Sequence, residues 1–169
     1  MPKNLEIKVK LANPRQIKSI LTKNNIKLSE VLYQKDIYYK VKSGILKLRI
    51  ENGVHSLIFY NRDEKSKHRW SDYHLLNISG TEGNKYFSRF LDVIIVVEKK
   101  RELFLFDNTR IHLDTVKGLG SFLELETRVV NGLSDAKKRF LFLYNILELN
   151  NKEELRTSYK NLLSSIRQK

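Results

Sequence analysis

The feature that most constrains the fold of this chain is a regular alternation of polar and apolar residues in short segments. Between residues 4 and 11, Leu5, Ile7, Val9 and Leu11 alternate with an asparagine, a glutamate and two lysines. A period of two is typical of a β-strand, in which successive side chains point to opposite faces of the sheet. The pattern recurs in most of the later β-rich segments, so it predicts a sheet with one apolar and one polar face.

Turn and capping signals divide the chain into a series of short elements. Asn13 and Pro14 predict the start of one helix, and further helices are predicted over residues 81–90, from Ser134, and after an Asn151 cap. Strands are predicted over residues 4–11, 36–41, 45–50, 56–60, 70–75, 93–97, 102–106, 110–116 and 122–130. Because we find no repeat and no linker rich in Pro, Gly or Ser, we predict one α+β domain over residues 1–169.

The polar positions of these strands carry charged residues in pairs, two positions apart, which places both members of a pair on one face. They are Glu6 with Lys8, Lys47 with Arg49, Tyr60 with Arg62, Arg69 with Ser71 and Tyr73, Lys99 with Arg101, Arg110 with His112 and Asp114, and Glu124 with Glu126. An ordinary sheet with one solvated face also alternates, but its polar face usually mixes residue types. Here Lys and Arg dominate, and the carboxylates are confined to the first strand and the last two.

This sorting favours one enclosed polar space with a basic wall and an acidic edge. If the sheet closes, the ionic side chains point inward and the apolar ones lie outward under the helices. Facing cations would repel one another by about 4 kcal/mol per close pair at an effective dielectric near 20, so an anion is expected among them. A polyphosphate suits so many cations, and Mg²⁺ or Mn²⁺ would join it to Glu6, Asp114, Glu124 and Glu126.

Charge and composition set the class of protein. There are 32 Lys and Arg against 19 Asp and Glu, which gives a formal charge of +13, and there is no cysteine. Disulfides, thiolate metal sites and a cysteine nucleophile are therefore excluded. We find no signal sequence or membrane-spanning stretch, so we expect a cytoplasmic protein without a membrane partner. A solvated basic surface remains the alternative explanation of the charge.

Several stretches resemble the CYTH domains of the triphosphate tunnel metalloenzymes, and in particular the branch of the class IV adenylyl cyclases. They cover nearly the whole chain and read NLEIKVK (4–10), ILKLRI (45–50), LIFYNR (57–62), RWSDY (69–73), KKRELF (99–104), RIHLDTVKGLGSFLELE (110–126) and SYKNLL (158–163). The resemblance implies an antiparallel β-barrel with flanking helices, whose tunnel binds a triphosphate such as ATP or tripolyphosphate with Mg²⁺ or Mn²⁺.

The resemblance also implies roles for individual residues. It makes Glu6, Glu124 and Glu126 metal ligands, with Asp114 close to the metal, and it makes Glu6, Lys8 and Asp114 the candidate catalytic residues. The phosphates would be bound by Lys8, Arg49, Arg62, Arg69, Lys99 and Arg101, with Lys47 as an addition.

The sequence departs from the family at one position of the opening motif, which is Glu, any residue, Glu, any residue, Lys. Here Asn4 stands in place of the first glutamate, followed by Glu6 and Lys8. An amide oxygen can coordinate a metal but brings no charge, and fewer anionic ligands hold a hard cation less tightly. The substitution therefore bears on activity and not on fold.

Two classes of function follow. One is an enzyme that either cyclises ATP or hydrolyses a triphosphate, since both reactions need the same cationic site. The other is a protein that binds polyphosphate or nucleic acid without catalysis. Nucleic-acid binding on an exposed basic surface should weaken steeply with salt. The sequence leaves open whether the protein is a monomer or a homodimer, and it favours a hydrogen-bonded His112 over a proton shuttle.

Overall fold

The structure is a computed structural model that describes residues 4–62 and 71–167. Within these residues the strands are β1 Asn4–Leu11, β2 Leu28–Tyr39, β3 Ile45–Glu51, β4 Val54–Arg62, β5 Ser71–Ile78, β6 Val93–Phe106, β7 Thr109–Val116 and β8 Gly120–Arg128. The helices are α1 Pro14–Lys23, α2 Gly83–Phe87, α3 Leu133–Ile146 and α4 Tyr159–Arg167, with a short 3-10 helix over Leu149–Asn151.

The strands hydrogen-bond in the order β1-β8-β7-β6-β2-β3-β4-β5. Strand β8 pairs antiparallel with β1 and with β7, and β2, β3, β4 and β5 pair antiparallel in succession. In the part of the chain that the structure describes, no helix is long and apolar enough to span a membrane.

The chain forms two compact units, each from separate stretches of sequence. Unit 1 takes the chain up to Leu32 together with Lys100–Ser158, and unit 2 takes Tyr33–Lys99 together with the chain from Tyr159. The boundaries fall inside β2 and β6, so both units draw on these two strands. The prediction of one domain over residues 1–169 stays a prediction.

Unit 1 buries the apolar face of its strands beneath α1 and α3. Ile7 and Val9 of β1 pack with Leu21 of α1 and Leu143 of α3 in one core, and the last three are fully buried. Helix α1 begins as predicted, because Pro14 occupies the first position and the Asn13 side chain accepts a hydrogen bond from the Arg15 amide at 3.1 Å. This packing fixes which face of each strand is left for polar residues.

Unit 2 has a core of its own on the apolar face of its strands. Ile37 and Tyr39 of β2 and Leu48 of β3 are buried together, and Phe87 of α2 packs against them. Residues of opposite parity on the same strands, among them Asp36, carry the polar groups. The alternation read from the sequence therefore separates an apolar from an ionic face within each unit.

The structure corrects the predicted elements at two places in the chain. Residues 93–97 and 102–106 are one continuous strand, β6, because charged residues between them extend the strand instead of ending it. The last helix begins at Tyr159 and not after Asn151, which ends the 3-10 helix. The chain between them is extended, with the Leu155 amide donating to the Lys8 carbonyl at 2.7 Å. The predicted loop over residues 63–67 lies outside the described residues.

Candidate functional site

The ionic faces of the strands form two clusters of side chains, one in each unit. The first polar cluster consists of Lys8, Arg101, His112, Asp114 and Glu124 in unit 1. The second polar cluster consists of Asp36, Tyr38, Lys47, Arg49 and Lys99 in unit 2. Except for Asp36, Tyr38 and His112, these residues are predicted site residues.

In the first polar cluster, Lys8 lies directly opposite Glu124 in the pairing of β1 with β8. Its ammonium group is 3.0 Å from Oε1 of Glu124 and donates a hydrogen bond to the Thr157 carbonyl at 3.3 Å. Lys8 is only 5% exposed. Burial of an ammonium group is costly unless it is paired, so this contact is part of the local stability.

Arg101 joins the two carboxylates of the first polar cluster. Its Nε and Nη2 donate to the two oxygens of Asp114 at 2.7 and 2.6 Å, and the same Nη2 donates to Oε2 of Glu124 at 2.7 Å. Such short, two-point contacts are the strongest hydrogen bonds between side chains. Asp114 is almost fully buried, at 1% exposure, so Arg101 compensates a charge that water does not reach.

His112 lies in the same cluster, opposite Glu124 in the pairing of β7 with β8. Its Nδ1 is 3.7 Å from Oε2 of Glu124 and makes no hydrogen bond within the described residues. Burial lowers the pKa of His112, and the nearby charge of Arg101 acts in the same direction, against the opposing effect of Glu124. The imidazole is therefore neutral near pH 7.

The remaining acidic residues lie further along the same strand faces. Glu6 pairs with Glu126 across β1 and β8, and Arg110 pairs with Glu126 on the other side. Glu6 is exposed, and Asn4 donates its amide nitrogen to Oε1 of Glu126 at 2.8 Å. A glutamate in place of Asn4 could not donate this hydrogen bond and would add a further carboxylate beside Glu126.

The donor chemistry of the first polar cluster fits a hard divalent cation. Asp114 and Glu124 supply carboxylate oxygens, which Mg²⁺ and Mn²⁺ prefer, and Mg²⁺ is commonly held by one or two carboxylates together with substrate phosphates. Across residues 4–62 and 71–167, no three acidic or histidine side chains converge as a preformed metal centre. Two carboxylates would therefore hold a cation together with ligands that come from the substrate.

The second polar cluster is built around Asp36, which is 3% exposed. Lys47 approaches Oδ2 of Asp36 at 2.8 Å, and Arg49 contacts both oxygens at 2.7 and 2.8 Å. Burial alone would raise the pKa of Asp36, but the charge of Lys47 and the contact with Arg49 overcome it and hold that pKa well below the usual range. The charge of Lys99 adds to this effect, so three cations lower the pKa of one carboxylate.

Aromatic rings complete the second polar cluster. The ammonium groups of Lys47 and Lys160 lie 5.6 and 5.7 Å from the centre of the Tyr38 ring. Lys99 lies 5.1 Å from the centre of the Tyr159 ring on α4. Burial and the charge of Asp36 raise the pKa of Tyr38 well above its ordinary value, so the phenol stays protonated.

The side chains of two predicted phosphate ligands, Arg62 and Arg69, are not described by the structure. Arg69 lies outside the described residues. Arg62 is the last residue of β4 and pairs with Ser71 of β5, which places its backbone in the sheet.

The sequence matches a family model described as the CYTH domain over residues 2–159, a range that takes in strands of both units. The chain belongs to the CYTH family. The resemblance to CYTH domains drawn from the sequence motifs is therefore confirmed. Triphosphate tunnel enzymes of this family bind triphosphates and depend on a metal ion.

Solved structures share the fold. The PH1012 protein from Pyrococcus horikoshii OT3 is 21% identical, with a TM-score of 0.79, and the match covers 96% of this chain and 99% of that one. A candidate adenylate cyclase from Vibrio parahaemolyticus is 18% identical, with a TM-score of 0.69 and coverage of 96% and 98%. HpAC1 from Hippeastrum, a candidate adenylyl cyclase with a dominant triphosphatase activity, is 13% identical, with a TM-score of 0.72 and coverage of 98% and 96%.

No curated protein sequence matches the chain. The family and the shared fold confirm the predicted fold class, α+β with an antiparallel sheet of the triphosphate-tunnel type and flanking helices.

Sequence reasoning missed Asp36 as a member of the site. It lies two residues before Tyr38 on a strand whose other parity, Ile37 and Tyr39, is apolar. The spacing rule that identified the cationic pairs therefore applies to Asp36 and Tyr38 as well. The sequence pattern does not identify Asp36, because the predicted site was built from pairs of charged residues two positions apart and Asp36 has no charged residue at that spacing.

Proposed function

We propose that this protein is a metal-dependent enzyme acting on a triphosphate. The observation that carries the proposal is the convergence of cationic side chains in the second polar cluster, where Lys47 and Arg49 contact the buried Asp36 carboxylate and Lys99 also acts on it through its charge. Cationic side chains that lie close together repel one another, and a bound anion offsets this repulsion. A polyphosphate supplies several negative oxygens to arginine forks and lysine ammonium groups at once.

The proposed roles of the predicted site residues follow their side-chain chemistry. Asp114 and Glu124, with Glu6 and Glu126 further along the strands, are the proposed metal ligands, and Glu6, Lys8 and Asp114 are the proposed catalytic residues. The proposed phosphate ligands are Lys8, Lys47, Arg49, Arg62, Arg69, Lys99 and Arg101. When bound, Mg²⁺ or Mn²⁺ would neutralise charge on the phosphate oxygens as the leaving group departs.

The first reaction to test is cyclisation of ATP. The ribose 3′-oxygen attacks the α-phosphorus and loses its proton, and the bond between the α-phosphorus and the bridging oxygen breaks, so cyclic AMP and pyrophosphate form. Lys8 and the arginines would stabilise the charge that develops on the departing pyrophosphate. Support comes from the motif resemblance to class IV adenylyl cyclases and the likeness to the Vibrio protein.

Hydrolysis of a triphosphate is the second candidate reaction. Water attacks the terminal phosphorus and loses a proton, and the bond between that phosphorus and the bridging oxygen breaks, so inorganic phosphate and a diphosphate form. The observation in its favour is that the Hippeastrum protein, which shares the fold, has a dominant triphosphatase activity. Hydrolysis needs no pocket for a nucleoside, so inorganic tripolyphosphate would serve as a substrate.

The deciding experiment incubates the protein with ATP, tripolyphosphate or thiamine triphosphate in the presence of Mg²⁺ or Mn²⁺. Cyclic AMP with pyrophosphate identifies a cyclase, and inorganic phosphate identifies a triphosphatase. Binding of tripolyphosphate without turnover of any of the three would overturn the enzyme proposal and favour a polyphosphate-binding protein.

A variant pair tests the phosphate site itself. Arg49→Met removes a cation from the second polar cluster, and we expect it to weaken tripolyphosphate binding by more than about tenfold in calorimetry. Lys35→Met is the matched control, because Lys35 is half-exposed beside Asp36 on β2 and pairs loosely with Glu98 at 3.9 Å. Equal affinity in the two variants would show that the second polar cluster does not bind phosphate.

A further inference from the structure

Arg101 occupies the carboxylate oxygens that a divalent cation would need. Its Nη2 lies 2.6 Å from Oδ2 of Asp114 and 2.7 Å from Oε2 of Glu124, so one nitrogen atom bridges both side chains. A guanidinium group and a metal ion both satisfy buried carboxylates through positive charge. The guanidinium group and the metal ion cannot both bind the same carboxylate oxygens tightly, because their positive charges repel one another at such short range.

From this contact we infer that Arg101 and the divalent cation compete for Asp114 and Glu124, so that the cation binds tightly only when a phosphate draws Arg101 away from them. The inference rests on the proposed function for the identity of the phosphate ligand. It adds an order of events to that function, in which the metal binds with its triphosphate and not before it.

The charge count of the first polar cluster supports the inference. Lys8 and Arg101 supply two positive charges, and Asp114 and Glu124 supply two negative charges. These four charges balance one another, so a divalent cation alone would add two positive charges to them. A triphosphate that enters together with the cation removes this excess.

His112 gives an independent sign that the cluster accepts a further ligand. It is 6% exposed, and its Nδ1 points toward Oε2 of Glu124 without a hydrogen-bond partner among the described residues. Leaving a buried polar atom unsatisfied costs free energy unless another state of the site supplies a partner. The position beside Glu124 is where Arg101 and a cation would exchange places.

The affinities for the cation and for tripolyphosphate are linked, and this linkage can be measured. If tripolyphosphate raises the affinity for the cation by some factor, the cation must raise the affinity for tripolyphosphate by the same factor. Removing Arg101 should reduce this factor, because the competitor is then absent from the start. The affinity of the free protein for the cation should rise at the same time.

The experiment measures Mn²⁺ binding by the loss of the electron paramagnetic resonance signal of free Mn²⁺. For the wild-type protein alone we expect weak binding, and with equimolar tripolyphosphate we expect binding at least about tenfold tighter than to either component separately. For Arg101→Met without tripolyphosphate we expect Mn²⁺ affinity at least about tenfold above wild type.

Arg110→Met is the matched control, because Arg110 is exposed on the same face of β7, opposite Glu126, and the variant loses the same charge. Equal Mn²⁺ affinity in Arg101→Met and Arg110→Met would overturn the inference. If Arg101→Met does not fold, Arg101→Lys takes its place. A single ammonium group holds two carboxylates less firmly than a guanidinium group, so its Mn²⁺ affinity should also exceed that of wild type.

The two proposals fail in different ways. If tripolyphosphate does not bind, the proposed function is wrong, yet tighter Mn²⁺ binding by Arg101→Met would still uphold competition between Arg101 and the cation. If tripolyphosphate binds and is turned over while wild type alone binds Mn²⁺ as tightly as the complex does, the proposed function stands and the order of events is refuted.

Discussion

Replacement of Asp36 by asparagine tests the electrostatics of the second polar cluster directly. Asp36 is buried and holds Lys47 and Arg49 through contacts of 2.7–2.8 Å. Asparagine keeps the size of the side chain but removes its charge, so these cations lose the anion that compensates their burial. We expect the variant to fold with clearly reduced stability.

The size of the effect follows from burial. Removing one partner of a buried ion pair costs about 3–5 kcal/mol. The lower end applies, because the Arg49 side chain is 23% exposed and water can partly compensate its charge. A loss of about 3 kcal/mol in a chain of this length corresponds to a fall of about 6–12 °C in Tm.

Thermal unfolding followed by circular dichroism at pH 7 measures this change. Glu98→Gln is the matched control, because Glu98 is 40% exposed and its pair with Lys35 spans 3.9 Å. Such surface pairs contribute about 0–1 kcal/mol, so the control should lose less than about 4 °C. Equal Tm values for the two variants would refute the claim that the Asp36 cluster stabilises unit 2.

The stabilising effect of Asp36 depends on pH, because folding lowers the pKa of this carboxyl group. The pKa of Asp36 in the folded protein lies below its ordinary unfolded value, so its stabilising effect is fully present above about pH 4. The effect is lost as the pH falls through the folded pKa. The Tm difference between wild type and Asp36→Asn should therefore shrink on acidification below pH 4, and a difference that grows there would contradict the assignment.

Two further predictions address unit 1. Leu143→Ala should lower the free energy of unfolding by about 2–5 kcal/mol, since Leu143 is fully buried in the core, whereas Leu141→Ala, at a position 53% exposed, should cost under about 1 kcal/mol in denaturant titrations. Glu124→Gln should reduce metal-dependent kcat by more than about tenfold and leave the calorimetric Kd for tripolyphosphate unchanged or lower, because Lys8 and Arg101 lose a competing anion. Equal losses in kcat and affinity would make Glu124 a structural residue.

The alternation of residues predicts which strand faces are apolar and which are ionic. Ile7 and Val9 lie in the core of unit 1, while Lys8 between them points to the polar cluster. This follows from the period of two alone, because neighbouring side chains must lie on opposite faces. The contacts of Lys8 with Glu124 and of Arg101 with Asp114 did not follow, since they depend on strand order and register, which no local pattern encodes.

The errors at these two places in the chain, within β6 and after Asn151, have a common physical cause. Glu98, Lys99 and Lys100 interrupt an apolar pattern, and a run of charges usually ends a strand. In β6 these residues continue the strand because Lys99 is buried on the polar face, where its ammonium group lies over the Tyr159 ring. Likewise, the stretch after Asn151 contains residues of helical spacing, yet its backbone pairs with β1 at Val9 and Glu154 instead. Tertiary pairing overrides local propensity in both places.

The two polar clusters differ in charge balance, and this difference predicts that they respond differently to an added anion. Among the residues that define them, the first polar cluster has two cations and two carboxylates, whereas the second has three cations and one carboxylate. A balanced cluster gains little from an anion alone, but it can exchange an internal cation for a metal when an anion also arrives. A cluster with excess positive charge gains from an anion at once. Tripolyphosphate should therefore bind to the second polar cluster in the absence of metal.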